Sequence, residues 1–265
     1  MRVNSGPIGI FDSGVGGLTV LKALRERMPG EHFIYLGDTA RLPYGTKTSD
    51  TVRRYALNAA SHLNGQRVKL LVVACNTASS FALDEVAAAS PVPVIGVVQP
   101  GVRTALVTGA NRVGVIGTEG TIRSAAYQTA LASLGPAVKV RALPCPLFVP
   151  LAEEGWGDHP VTDQIARHYL TPLLEWGAQT MILGCTHYPL LRPSLHRVAG
   201  PDVRLVDSAS AVAEAVVSDH AELIDTSHGI QGDVHIQLTD ASERFLRIAT
   251  AILGREPQHL EVVDI

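Results

Sequence analysis

Leu70-Leu71-Val72-Val73-Ala74-Cys75-Asn76-Thr77-Ala78-Ser79-Ser80 is the stretch that decides how this chain reads. An apolar, partly β-branched run stops at Cys75, and small polar residues able to cap a helix follow at once. A run this short, closed by cap residues, predicts a buried strand that delivers a polar tip to the start of a helix. The construction recurs at Thr180–Leu191 (TMILGCTHYPLL), where Met181-Ile182-Leu183-Gly184 ends in Cys185-Thr186-His187. Two thiols therefore stand at the C-terminal ends of two buried strands, each among hydroxyl or amide side chains.

Outward from these stretches the chain alternates between strand and helix patterns. Ile8–Phe11 predicts a first strand, ending in Asp12-Ser13-Gly14-Val15-Gly16-Gly17 before a helix with Leu18, Leu21 and Leu24 on one face. His32–Leu36 predicts a second, ending in Gly37-Asp38-Thr39. Val52, Tyr55, Ala56, Ala59 and Leu63 form the stripe of a helix capped near Thr48 or Ser49. Gln99-Pro100-Gly101 reads as a boundary. A second series starts at Arg112–Ile116, ends its first strand at Gly117-Thr118, and continues as a helix from Ile122 through Leu131. A strand over Val138–Leu143 leads to an irregular segment, Leu147–Asp158, that carries Glu153 and Glu154. A helix near Gln164–Trp176 precedes the Cys185 strand; Val203–Val206 and Val234–Leu238 read as later strands, Ala209–Val217 and Ala241–Leu253 as later helices.

Strands alternating with helices imply parallel sheets built from βαβ units. The interval from Asp12 to Cys75 nearly equals that from Thr118 to Cys185, which reads as a duplicated lobe. The expected division is residues 1–98 plus 209–265 for one α/β lobe and 99–208 for the other. Ligands of open parallel sheets bind beyond the carboxyl ends of the strands, so facing lobes would bring both cysteine tips to one cleft.

Composition narrows the class. The chain has 265 residues, 46% of them hydrophobic, and a net charge of −3. It can bury a real core, and it lacks the basic footprint of a nucleic-acid binder. No apolar run approaches the roughly 20 residues of a membrane span, and the N-terminus lacks a signal-peptide pattern. Three widely spaced cysteines, Cys75, Cys145 and Cys185, are no disulfide framework and fit a reduced, cytoplasmic protein.

Each motif has a plain alternative. Asp12–Gly17 fails the dinucleotide pattern, because Thr19 stands where its last glycine belongs. It reads either as an ordinary helix cap or as a carboxylate and hydroxyl placed at a helix N-terminus, where exposed N–H groups hold anions. A lone cysteine is usually a small core hydrophobe; two at equivalent strand tips point to a site. No C-x-x-C supports a metal, and Cys185 and His187 offer a single close pair. Acid–base or nucleophilic chemistry remains, with a helix N-terminus and His187 expected to lower a thiol's pKa and Asp12 to orient or exchange a proton with Cys75. Inverting a stereocentre needs a proton removed from one face and another returned to the opposite face, which suits two thiols across a cleft. Cys145, between two prolines, reads as packing. A thiol redox or metal-binding regulator is the alternative from a different class.

Several stretches together resemble glutamate racemase, of the aspartate/glutamate racemase superfamily. They are Ile8–Gly17 (IGIFDSGVGG), Tyr35-Leu36-Gly37-Asp38, Leu42-Pro43-Tyr44-Gly45, Ala74–Ser79 (ACNTAS), Phe148-Val149-Pro150-Leu151 and Leu183–Leu190 (LGCTHYPL), in order along nearly the whole chain. The resemblance implies two flavodoxin-like α/β lobes with parallel sheets related by pseudo-symmetry and an active site between them. It implies a cofactor-independent enzyme that interconverts L- and D-glutamate, with Cys75 and Cys185 as proton acceptors and donors. Asp12 would assist at Cys75, and His187 at Cys185. Glu153, preferred over Glu154, falls on the family's glutamate. Substrate contacts would fall on Asp12, Ser13, Tyr44, Gly45, Asn76, Thr77, Thr118, Thr121, Thr186 and His187. It further implies a role in supplying D-glutamate for peptidoglycan, and a homodimer.

Overall fold

The computed structural model describes residues 6–224 and 231–265. Residues 1–5, part of the N-terminal reading above and of the first lobe's expected range, lie outside it. In chain order come β1 (Ile8–Asp12), α1 (Leu18–Arg27), β2 (Phe33–Gly37), α2 (Ser49–Gly65), β3 (Leu70–Val73), α3 (Asn76–Ala89) and β4 (Val94–Gly96). Next are α4 (Val98–Val107), β5 (Arg112–Gly117), α5 (Glu119–Arg123), α6 (Ala126–Leu134), β6 (Lys139–Pro144), α7 (Phe148–Glu153), α8 (Pro160–Glu175), β7 (Thr180–Gly184), α9 (Arg192–Ala199) and β8 (Arg204–Asp207). Last are α10 (Ser208–Asp219), β9 (Val234–Leu238), α11 (Glu243–Leu253) and β10 (Leu260–Val262).

Two sheets form, ordered β10-β9-β2-β1-β3-β4 and β6-β5-β7-β8, with every pairing parallel. Each contains the same four-strand arrangement, in which the first and third strands of the series lie side by side at the centre. β1, β3 and β7 are buried at every residue, because helices cover both faces of a parallel sheet. That is why these strands read as unbroken apolar runs. The register sharpens the internal match. Continuing β1–β3 past Phe11↔Val73 brings Ser13 opposite Cys75, and continuing β5–β7 past Gly117↔Gly184 brings Thr118 opposite Cys185. The counterpart of Thr118 is thus Ser13, one residue beyond the Asp12 paired with it by counting.

The chain passes between two cores twice. Ile95 and Val97 pack with β1 and α1, whereas Val98 and Val102 pack with β5 and Tyr127. It returns between Val206, in the second group, and Ala209, in the first.

The elements differ from the sequence reading in four places. Gln99-Pro100-Gly101, read as a boundary, lies inside the start of α4 just after the passage at Val97–Val98 and is helical, and the segment after Leu147 is helical as α7. Both helices carry a proline at their third residue, where the missing N–H removes no intrahelical bond. The helix expected over Ile122–Leu131 is broken at Ala125, which adopts the left-handed conformation (φ 56°). The Ala126 N–H donates to Ser124 Oγ at 3.2 Å, and α6 begins there. A final edge strand, β10, had no clear sequence signal.

Candidate active site

Cys75 follows β3 and caps α3; Cys185 follows β7. Each retains 5% exposure. The Cys75 thiol points to Ser13 Oγ at 3.6 Å. Asp12, at the end of β1 and fully buried, accepts the Gly14 N–H on Oδ1 at 2.9 Å. Its other oxygen, Oδ2, accepts the Thr186 hydroxyl at 3.2 Å. Thr19 Oγ1 donates to the Thr186 carbonyl at 3.1 Å. The tip of β1 is thereby joined to the segment that follows β7, and the charge of Cys185 is felt at Cys75.

The glycine-rich turn after β1 has a steric purpose. A Cβ on Gly16 would overlap the His187 ring and lie 2.5 Å from Thr186 Oγ1. One on Gly17 would collide with the Asp12 side chain. The turn is small so that the other lobe's His187 can approach it. Gly45 is similar: a Cβ there would stand 2.6 Å from Thr118 Cβ.

His187 is a link with two ends. Nδ1 lies 3.8 Å from Cys185 Sγ, and Nε2 lies 3.2 Å from Glu153 Oε1. Glu153, not its neighbour, meets the imidazole; Glu154 instead pairs with Arg244 at 2.9 Å. Hydroxyls line another wall. Thr77 Oγ1 is 2.9 Å from Thr118 Oγ1 and 3.2 Å from Thr121 Oγ1, and Thr118 also accepts the Thr121 N–H as the cap of α5. This cluster joins α3 of one lobe to α5 of the other. Asn76 accepts from Tyr127 OH at 2.6 Å and from Ser208 Oγ at 3.2 Å. Its buried Nδ2 has no hydrogen-bond partner among the described residues, which leaves a donor for a ligand. The Tyr44 hydroxyl donates to Asp38 Oδ2 at 2.6 Å, so this ring is held from behind the loop.

Burial is the largest single influence on the electrostatics of the site. Burial, then the charge of Asp12, pushes the Cys75 thiol up to about 12; the Ala78 N–H at the start of α3 and Ser13 oppose the rise, and the charge of Cys185 adds to it. The expected lowering by a helix N-terminus is therefore overcome at Cys75, and His187 stands beside the other cysteine. Burial disfavours a charged His187, but hydrogen bonds to Cys185 and Glu153 and their charges outweigh it and raise the imidazole to about 10. Burial pushes Glu153 up, yet His187 and Arg244 together hold it below its ordinary value. Burial lifts the Asp12 carboxyl despite the opposing pull of His187, Gly14, Gly17 and Thr186.

Cys145 stands apart, fully buried against Phe148, with its carbonyl accepting the Tyr188 hydroxyl at 2.8 Å. Tyr127 and Arg244 had gone unmarked, and Asp38 had been marked only as a strand end. Asp38, buried behind Tyr44, was legible as the polar end of β2. Tyr127 carries no signal beyond its helical stripe. Arg244 lies on the exposed face of α11 and has none.

Comparison with known proteins agrees with this geometry. The Asp/Glu/Hydantoin racemase family model matches residues 17–216. A glutamate racemase of Geobacter metallireducens is 52% identical over 250 residues, covering 93% of this chain and 92% of that one. The crystal structure of a Francisella tularensis glutamate racemase in complex with D-glutamate superposes with a TM-score of 0.91 at 38% identity, covering 99% of this chain and 98% of that one. A Thermus thermophilus glutamate racemase in complex with beta-chloro-D-alanine gives 0.88 at 43%, covering 100% and 99%. With two parallel α/β sheets and this match over most of its length, the chain belongs to the Asp/Glu/Hydantoin racemase family.

Proposed function

We propose that this protein is a glutamate racemase that works by two-base proton transfer between Cys75 and Cys185. The observation that supports the reading is the tie between Asp12, beside Cys75, and Thr186, next to Cys185, which brings the ends of two equivalent strands together. In one direction a thiolate takes the α-proton, and the C–H electron pair stays on the α-carbon, delocalised into the carboxylate. The opposite thiol then gives its proton to the other face of that carbon. The enzyme is left with its protonation pattern exchanged, ready for the other enantiomer. No pyridoxal phosphate is required by this scheme.

The side chains divide the remaining work. The His187 imidazole, held by Glu153, stands against Cys185 and is the group placed to serve that sulfur. Buried Cys75 stands as a thiol beside Ser13 and the Asp12 carboxylate. Asn76 Nδ2, the hydroxyls of Ser13, Thr77, Thr118, Thr121 and Thr186, and the loop at Tyr44 and Gly45 surround the substrate. Fixed donors near its carboxylates disperse the charge that develops on deprotonation. The D-glutamate formed would feed peptidoglycan synthesis in the cytoplasm, and the enzyme is expected to act as a homodimer.

Incubation with L-glutamate in deuterated water tests the reading. Circular dichroism should decay to zero while deuterium enters the α-position. A stable signal with L-glutamate, or equal activity on L-aspartate, would sink it as stated.

A further inference from the structure

Arg244 lies outside every motif above, on the solvent side of α11, yet it reaches the site. α11 is anchored in the six-stranded lobe by Phe245, Ile248, Ala249 and Ile252. Glu153 ends α7, which Phe148 and Ala152 anchor in the four-stranded lobe. Arg244 Nη2 crosses between them, 3.3 Å from Glu153 Oε2 and 2.9 Å from Glu154 Oε1. The two oxygens of Glu153 thus serve different partners, Oε1 the His187 ring and Oε2 the guanidinium. Adjacent carboxylates at a helix C-terminus repel each other and meet the negative end of the helix dipole, so a bridging cation is what keeps Glu153 in place. The Glu153 side chain is 17% exposed and that of Arg244 45%, so the pair adds little to global stability. Its effect falls on orientation.

We infer that Arg244 is a positioning residue for the Cys185 half of the reaction, holding Glu153 against His187 only while the two lobes are together. The inference rests on the racemase reading above. Cys75 is served by Ser13 and Asp12 from its own lobe, and the tie of Asp12 across the lobes runs to Thr186 and does not involve Arg244. Loss of Arg244 should therefore slow proton transfer at one sulfur and not at the other.

Rates in the two directions cannot reveal this alone. L- and D-glutamate are equal in free energy, so kcat/KM must be the same for both in any variant. Primary isotope effects can reveal it. In Arg244→Ala, kcat should fall about threefold to tenfold, as expected for misplacing a group that acts through a hydrogen bond. The isotope effect on kcat/KM should rise for the α-deuterated enantiomer that gives its hydrogen to Cys185, and fall toward unity for the other. Arg244→Lys should restore both values, and Arg247→Ala, on the same exposed face, should leave them unchanged. In a Glu153→Gln background Arg244→Ala should add nothing further. Isotope effects that stay constant or move in the same sense for both enantiomers would overturn the inference, whatever the rate. A wild-type protein that fails to racemise glutamate would overturn the underlying reading as well, and is distinguished by that.

Discussion

Cys75 and Cys185 occupy matching places in matching sheets, and their neighbourhoods differ. Cys75 faces a hydroxyl and a buried carboxylate from its own lobe. Cys185 faces an imidazole that is backed by Glu153 and packed against the turn of the opposite lobe. A duplicated backbone can therefore place two thiols at matching strand ends while local side chains give one a buried carboxylate for a neighbour and the other an imidazole. The register locates the split. Ser13 and Thr118 are equivalent, but the residue before each is Asp12 in one lobe and Gly117 in the other. At this matched position the carboxylate is thus contributed by one side.

The largest expected effect removes the contrast altogether. Cys75→Ala and Cys185→Ala should each lower racemisation on the order of 10²–10⁴-fold. Each should still exchange the α-hydrogen of a single enantiomer with deuterated water, and the two variants should exchange opposite ones. Exchange of the same enantiomer by both, read by mass spectrometry after chiral separation, would break the assignment of opposite faces. Cys145→Ala should keep activity near wild type.

A smaller effect acts on one side only. Gly16→Ala inserts a methyl group where His187 lies, and should cost about 1–3 kcal/mol of stability through overpacking. Displacing the imidazole should reduce kcat by roughly tenfold to a hundredfold. Alkylation of Cys185 should slow in this variant while that of Cys75 stays as in wild type, which peptide mass mapping would detect. Equal slowing at both would mean that His187 serves the whole cleft.

The smallest effect is a pH signature. The His187 imidazole is raised to about 10 in the folded protein, against about 6.5 in an unfolded chain. Its charged form therefore contributes stability fully below about pH 6.5, and that contribution is lost as pH rises through about 10. Thermal melts of wild type and His187→Asn should converge across this interval. A gap that stays constant from pH 6 to pH 11 would remove the imidazolium from the account.

What could be read from the residues follows from physics that is local. β1, β3 and β7 lie at sheet centres, so their burial is written as apolar runs, and the polar residues that end them mark the cleft. α4 and α7 were obscured because Pro100 and Pro150 punctuate a sequence strongly yet fit a helix's first turn. The break at Ala125 depends on a left-handed residue that is neither Gly nor Asn, so composition gave no warning. The least legible contacts are those between lobes. Asp12 with Thr186, Gly16 with His187 and Arg244 with Glu153 join residues far apart in the chain, and no local pattern encodes such pairs. The glycines of the first turn were visible, but their purpose was not until His187 was seen beside them.

The double passage of the chain between the cores, at Val97–Val98 and again between Val206 and Ala209, has a mechanical meaning. Two bodies tethered at two points retain one easy rotation, about the line through both tethers. Swinging about that axis would part Asp12 from Thr186 and Arg244 from Glu153 in a single stroke, exposing sulfurs that are now nearly sealed. Admitting a substrate and dismantling the acid–base array would then be the same movement.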